Sequence, residues 1–286
     1  MSAAAGNAWP GALVGAEWLA AHTGAAGPVV LDASVGAHRR KGPWIPGARI
    51  FDIDGEMSDH GTGLPPHTMP EIEQFAARVR ALGISSDERV VVYDAVGIYS
   101  SARAWWMLRT LGFDRVAVLD GGLPRWLAAG LPVEDQPVTQ VASADGEFVV
   151  REKTGAFVGR DEVRAALEDG RTTVLDARSR GRFAGTDPEP RAGLRGGHMP
   201  GAVNLPFGEL QDGHGRMRPA VELREVFREL AGVEGPLVVS CGSGVTACVL
   251  ALGAELAGRT DVSVYDGSWS EWGLEGAGTP VVTGEA

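Results

Sequence analysis

Both cysteines of the chain fall in one short stretch, VVSCGSGVTACVL, residues 238–250. Cys241 closes an apolar run, Gly242, Ser243 and Gly244 follow it, and a second apolar run begins at Val245. Glycines punctuate the junction, so Leu237, Val238 and Val239 read as a short buried strand. Val245, Ala247, Val249, Leu250 and Leu252 then lead into an Ala/Leu-rich helix. A thiol is thereby set at the carboxyl end of a strand, just ahead of a helix. Gly242 and Gly244 open backbone angles that are closed to other residues. A tight loop there turns several amide N–H groups inward, and those donors favour an anion together with the helix dipole. The anion at hand is a cysteine thiolate, so Cys241 is read as a nucleophile. Cys248 comes about two helical turns later, among apolar residues, and is read as core.

A second constellation is cationic. Arg178, Arg180, Arg182, Arg191 and Arg195 cluster against only Asp187 and Glu189. Guanidinium forks suit carboxylates, so a small carboxylic acid is a fitting ligand; a solvated loop is the bland reading of the same residues. The histidines are scattered. His60 and His67 lie in a Gly/Pro-rich stretch, FDIDGEMSDHGTGLPPHTMP, with Asp52 and Asp54 at its start. If residues 51–54 are extended, the two acids share a face and spacing does not separate them. His198 is read as a structural brace of a turn, and His22, His38 and His214 as solvated. Trp269 and Trp272 follow the last apolar run, where a partner could approach the cysteine or the core could take them. No H-E-x-x-H or C-x-x-C pattern is present, and no metal or cofactor is expected.

The elements that position these groups come in two copies. PVVLDAS at 28–34 recurs as TTVLDAR at 172–178, and WIPGARIFD at 44–52 as HMPGAVNLP at 198–206. ERVVVYDAVG at 88–97 recurs as GPLVVSCGSG at 235–244, and VAVLDGGLPRW at 116–126 as VSVYDGSWSEW at 262–272. Matched blocks in the same order make the chain two copies of one α/β unit, joined by a polar stretch over 134–147. Short Val-rich strands alternate with helical patterns such as Ile72, Phe75, Ala76, Val79 and Leu82, or Leu223, Val226, Phe227 and Leu230. The fold class is therefore α/β, each copy a mostly parallel sheet flanked by helices. Ligands in such sheets bind beyond the carboxyl ends of the strands, where Cys241 lies. Asp94 holds the first-copy position of Cys241, which predicts a copy without thiol or anion cradle.

Length and charge set outer bounds. A chain of 286 residues suits one or two domains. A formal net charge of −11 argues against a nucleic-acid partner. Residues 1–15 carry no basic or long apolar run, so neither a signal peptide nor a membrane span is expected. A reduced, cytoplasmic setting follows as the expectation, and it suits a reactive thiol.

These blocks resemble the rhodanese (sulfurtransferase) family in its tandem form. The resemblance covers nearly the whole chain and implies an inactive domain over 10–140 and an active one over 150–286. CGSGVTA at 241–247 is similar to the active loop of relatives that use 3-mercaptopyruvate; those that use thiosulfate carry basic residues where Gly242 and Ser243 stand. The resemblance implies that Gly242, Gly244, Val245 and Thr246 hold substrate and persulfide. GRFAGTDPEPR at 181–191 resembles the segment whose arginines grip the substrate, which points to Arg182 and Arg191. The 51–70 stretch resembles the segment that supplies an acid and a histidine to a relay with the loop serine. The mapping gives Asp54, His67 and Ser243, with His60 and Asp52 as rivals because this stretch is longer than usual.

The implied chemistry is transfer of sulfane sulfur from 3-mercaptopyruvate to a thiol or cyanide through a Cys241 persulfide, with release of pyruvate. Thioredoxin or a small thiol is the implied acceptor. Thiosulfate sulfurtransfer is the nearest alternative, and a non-catalytic persulfide carrier, which has no need of the arginine pair, is another. A cysteine phosphatase wants histidine before the cysteine and arginine six after it, where Ser240 and Ala247 stand.

Overall fold

The computed structural model describes residues 9–24, 27–139 and 148–285. The polar junction at 134–147 therefore lies partly outside the described residues, as does the start of the 1–15 stretch. Strands β1 (Leu13–Val14), β2 (Val29–Asp32), β3 (Arg49–Ile50), β4 (Val90–Tyr93) and β5 (Val116–Leu119) form one sheet, in the order β1-β5-β4-β2-β3. Strands β6 (Phe157–Val158), β7 (Thr173–Asp176), β8 (Val203–Asn204), β9 (Leu237–Ser240) and β10 (Val262–Tyr265) form a second, in the order β6-β10-β9-β7-β8. The two orders are the same once the second set is renumbered from one, and every pairing is parallel. The repeat in the sequence is thus a repeat of topology.

Helices cover both faces of each sheet. They are α1 (Ala16–His22), α2 (Ile72–Ala81), α3 (Ser101–Thr110) and α4 (Gly122–Ala128) in the first copy, with α5 (Arg160–Glu168), α6 (Arg180–Ala184), α7 (Ala220–Ala231), α8 (Ala247–Leu256) and α9 (Ser268–Trp272) in the second. The strands are apolar on both faces, as parallel strands buried twice must be. Alternation then sorts each strand between two cores. Val90 and Val92 enter a large central core, and Val91 and Tyr93 an outer one. Leu237 and Val239 face the same central core, and Val238 a third.

The central core draws on both sheets, so the two copies are fused through it. Two helices lie at its heart. In α8 all residues from Ala247 to Ala254 are buried, and in α3 only Arg109 is not. A helix apolar all round has to sit inside a core. The loop that precedes α8 is consequently pressed against the first copy. Residues 134–138 are not a loose tether: Trp44 and Glu134 exchange backbone hydrogen bonds of 2.9 and 2.8 Å, and the Val138 N–H donates to the Ala48 carbonyl. The second copy repeats this with His198 and Val282.

Candidate active site

Cys241 follows β9 directly and is buried, 2% exposed, at the floor of a cleft of about 410 Å3 between the two copies. The turn is shaped from behind by Ser268, whose Oγ accepts from the N–H groups of Cys241 (3.2 Å) and Gly244 (3.1 Å) and donates to the Tyr265 carbonyl. The carbonyls of Cys241 and Gly242 point away from the cleft, to the N–H groups of Trp269 and Ser270. With the carbonyls held outward, the N–H groups of Gly242, Ser243, Val245 and Thr246 are left with no acceptor among the described residues. Unpaired amides converging beside a sulfur are an anion site.

The two glycines have different reasons. Gly244 sits at φ +73°, and a Cβ there would meet the Asp266 carbonyl at 2.8 Å. Gly242 has an ordinary φ. A Cβ there would come 3.0 Å from Nη2 of Arg182, so the expected backbone freedom is replaced by clearance for a guanidinium.

A hydrogen-bonded chain reaches the loop from the first copy. Ser243 Oγ lies 3.0 Å from His67 Nδ1, and His67 Nε2 lies 2.9 Å from Asp54 Oδ1. A carboxylate only accepts, so Nε2 carries the hydrogen and Nδ1 accepts from the serine. Burial, with Arg103 and Arg191 nearby, pushes the His67 imidazolium below the ordinary histidine range, while Asp54 opposes it. The ring is thereby kept neutral and able to take a proton. Of the rivals, His60 is on the surface with Nε2 against the Gly55 carbonyl. Asp52 is buried in an ion pair with Arg39 and Arg40. The backbone turns after Ile53, so 51–54 is not an extended run and the two acids part company.

The arginines divide by partner. Arg191 Nη2 reaches Ser243 Oγ at 3.4 Å and has no carboxylate partner among the described residues. Arg182 lines the same cleft but is held by Glu189, at 3.2 and 2.6 Å. Arg178 is fully buried between Asp176 and Glu189 and lies over the Trp269 ring at 4.1 Å. Arg180 is exposed and paired with Glu209, and Arg195 ties the carbonyls of Gly273, Trp272 and Thr279. His198 stacks on Phe183 as a brace, and Trp269 and Trp272 are core. His22 is not merely solvated: it stacks on Trp18.

Cys248 is the opposite of Cys241. It is fully buried in α8, its Sγ turned to the Gly244 carbonyl at 3.3 Å, and burial pushes its thiol up to about 12.

Several site residues escaped the sequence reading. Val35, Gly36, Tyr99 and Pro190 also line the cleft, and the Gly36 N–H fixes Asp54 Oδ2 at 2.6 Å. Tyr99 was reachable in principle, since it is the first-copy counterpart of Thr246. The expectation that the first copy lost its anion cradle is corrected. Asp94 Oδ2 accepts from the N–H groups of Tyr99, Ser100 and Ser101, and Oδ1 from that of Val96. The cradle persists and its own carboxylate fills it. A larger cleft of about 640 Å3 opens at the amino ends of the strands, but Arg109, Lys153 and Arg259 there are paired with acids, and neither cysteine nor histidine lines it. Among the described residues no cluster of His, Cys, Asp and Glu is placed to hold a metal ion.

The rhodanese-like domain family matches this chain twice, at residues 15–129 and 159–275. The human 3-mercaptopyruvate sulfurtransferase is 44% identical over 234 residues, which is 80% of this chain and 76% of that protein. A mitochondrial thiosulfate/3-mercaptopyruvate sulfurtransferase of Arabidopsis thaliana is 44% identical over 81% of this chain, and the match spans 65% of the plant protein. An Escherichia coli crystal structure, described as showing the fold and mechanism of 3-mercaptopyruvate sulfotransferases, superposes with a TM-score of 0.78 at 37% identity. It covers 93% of this chain and all of the other.

Proposed function

The chain belongs to the rhodanese family in its tandem form and is a sulfurtransferase of the mercaptopyruvate/thiosulfate type, and from that premise we propose that its donor is 3-mercaptopyruvate. The observation that carries the choice is the chain Ser243–His67–Asp54. Thiosulfate gives up its outer sulfur and leaves as sulfite, with no thiol proton to move. Mercaptopyruvate must shed a thiol proton while its methylene carbon gains one. A neutral imidazole behind a serine beside the nucleophile is suited to that exchange.

The Cys241 thiolate attacks the donor sulfur, forming an S–S bond as the C–S bond breaks. The released electron pair enters the keto group as an enolate. The thiol proton passes to the relay of Ser243, His67 and Asp54 and returns to the carbon, giving pyruvate. Arg191 and Arg182 grip the carboxylate and keto oxygen, Arg191 with a charge that no acid among the described residues offsets. Cys241 is left as a persulfide anion, which the N–H groups of Gly242, Ser243, Val245 and Thr246 stabilise. An acceptor thiol, of thioredoxin or a small molecule, or cyanide in the test tube, then takes the outer sulfur. No cofactor enters these steps.

The amino-terminal domain over 10–140 transfers no sulfur itself, because Asp94 stands where the thiol would be; it lends His67 and Asp54 to the carboxyl-terminal domain over 150–286. A reduced, cytoplasmic setting belongs to the same reading. Thiosulfate as donor has one feature in its favour, the two cations across the cleft from a small dianion. A single-turnover experiment without acceptor tests the proposal. Mercaptopyruvate is expected to release one pyruvate per chain and to leave one added sulfur by intact mass. Release of pyruvate without retained sulfur, or no release, contradicts it.

A further inference from the structure

Arg103 is the one charged residue buried in the fully packed face of α3, and its side chain has no exposure. Burying a cation is costly unless its hydrogen bonds are met by design. Here the two terminal nitrogens are met by parts of the active site, while Nε has no partner among the described residues. Nη2 donates to the His67 carbonyl at 2.7 Å and to Asp266 Oδ1 at 2.7 Å. Nη1 donates to the Gly244 carbonyl at 3.3 Å. Asp266 in turn accepts the Met69 N–H at 2.7 Å through its other oxygen. His67 itself sits at φ +64°, a left-handed conformation that a side-chain-bearing residue holds only when its surroundings impose it. The backbone that follows His67 is therefore clamped at two points, the His67 carbonyl and the Met69 N–H, by one ion pair.

We infer that Arg103 is a positioning residue for the relay: by holding the His67 carbonyl it sets the imidazole against Ser243, and through Asp266 and Gly244 it couples that setting to the cysteine loop. The guanidinium arises from the first copy, and two of its three partners belong to the second. It therefore aligns a histidine from one copy with a serine from the other. Gly244 must be glycine for this contact as well, since a Cβ there would lie 3.0 Å from Arg103 Nη1. The inference rests on the relay reading above.

The test is a double-mutant cycle on mercaptopyruvate turnover. Arg103→Met should lower kcat by about 10- to 100-fold, the scale of a slight misplacement of a reacting group, with KM little changed. In a His67→Ala background it should cost almost nothing more, because the residue acts through the histidine. Arg103→Lys keeps the charge without the fork and should recover part of the rate. The groups facing His67 are Asp54, Ser243, Arg191 and Arg103, with Asp266 beside Arg103. Removing one cation from that set should move the acid limb of kcat upward in Arg103→Met and leave it in place in Arg103→Lys. Should Arg103→Met fail to fold, Asp266→Asn carries the same cycle from the partly exposed end of the pair. Full kcat in a folded variant, or a loss that is just as large without His67, overturns the inference. If the wild type releases no pyruvate from mercaptopyruvate, the donor reading fails instead. The inference is then read from the His67 imidazole by nitrogen NMR: a single Nε2–H tautomer in the wild type that is lost in Arg103→Met supports it, and an unchanged ring contradicts it.

Discussion

Cys241 and Cys248 share a segment and are both buried, but they differ in what surrounds the sulfur. One closes a strand beside unpaired amides, the other is packed inside α8 and has its thiol pushed up to about 12. Cys241→Ser is expected to abolish sulfur transfer, since a hydroxyl is a poor nucleophile without a strong base. Cys248→Ser should keep most of it, and persulfide detected on Cys248 would refute the assignment. The arginines separate in the same way. Arg191 has no carboxylate partner among the described residues, whereas Glu189 already engages Arg182. Arg191→Lys should therefore lower kcat/KM for mercaptopyruvate by about 2 kcal/mol or more, because a point charge cannot replace a fork. Glu189→Gln should tighten rather than weaken substrate binding by freeing Arg182, at some cost in stability; a raised KM would contradict this. His67 is depressed by burial and by Arg103 and Arg191. Because the relay needs the neutral ring, activity should fall only as pH drops below about 6.5, and His67→Gln should remove that limb from the kcat profile.

At the scale of elements, the site depends on a loop whose carbonyls are turned out and amides turned in. Gly244→Ala forces a Cβ into the Asp266 carbonyl at a positive φ, and should destabilise the fold by about 1–3 kcal/mol and reduce turnover together. Gly242→Ala meets only the tip of a long side chain, so denaturant midpoints should move little while KM rises. Arg178→Met, by contrast, leaves Asp176 buried without its ion-pair partner and Glu189 with Arg182 alone, and should cost about 3–5 kcal/mol in denaturant unfolding. Much of this architecture was legible beforehand. The strand, the turn and α8 follow from apolar periodicity broken by glycines, and the doubled sheet follows from the repeated blocks. What sequence could not supply was the partner of each charge. Asp52 and Asp54 are two residues apart and chemically alike. Only the turn after Ile53 sends one to Arg39 and the other to His67. Nothing in the sequence sets Arg103 apart from other arginines, because burial of a helix face depends on what packs against it. The cradle around Asp94 was missed for a related reason: loss of a thiol does not undo the backbone that held it.

At the scale of the whole molecule, the two copies are not independent modules. They share one core, built around α3 and α8, and the proposed catalytic set is split between them: Cys241 and Ser243 come from one copy, His67 and Asp54 from the other. Unfolding should accordingly be one cooperative transition, with tryptophan fluorescence and loss of turnover coincident in denaturant; two separated transitions would contradict a shared core. The donor is decided by comparing kcat/KM for 3-mercaptopyruvate and for thiosulfate on the same preparation with the same acceptor. The proposed relay, the uncharged loop after Cys241 and the arginines proposed to grip a carboxylate predict a clear preference for mercaptopyruvate. Faster turnover of thiosulfate would contradict the account.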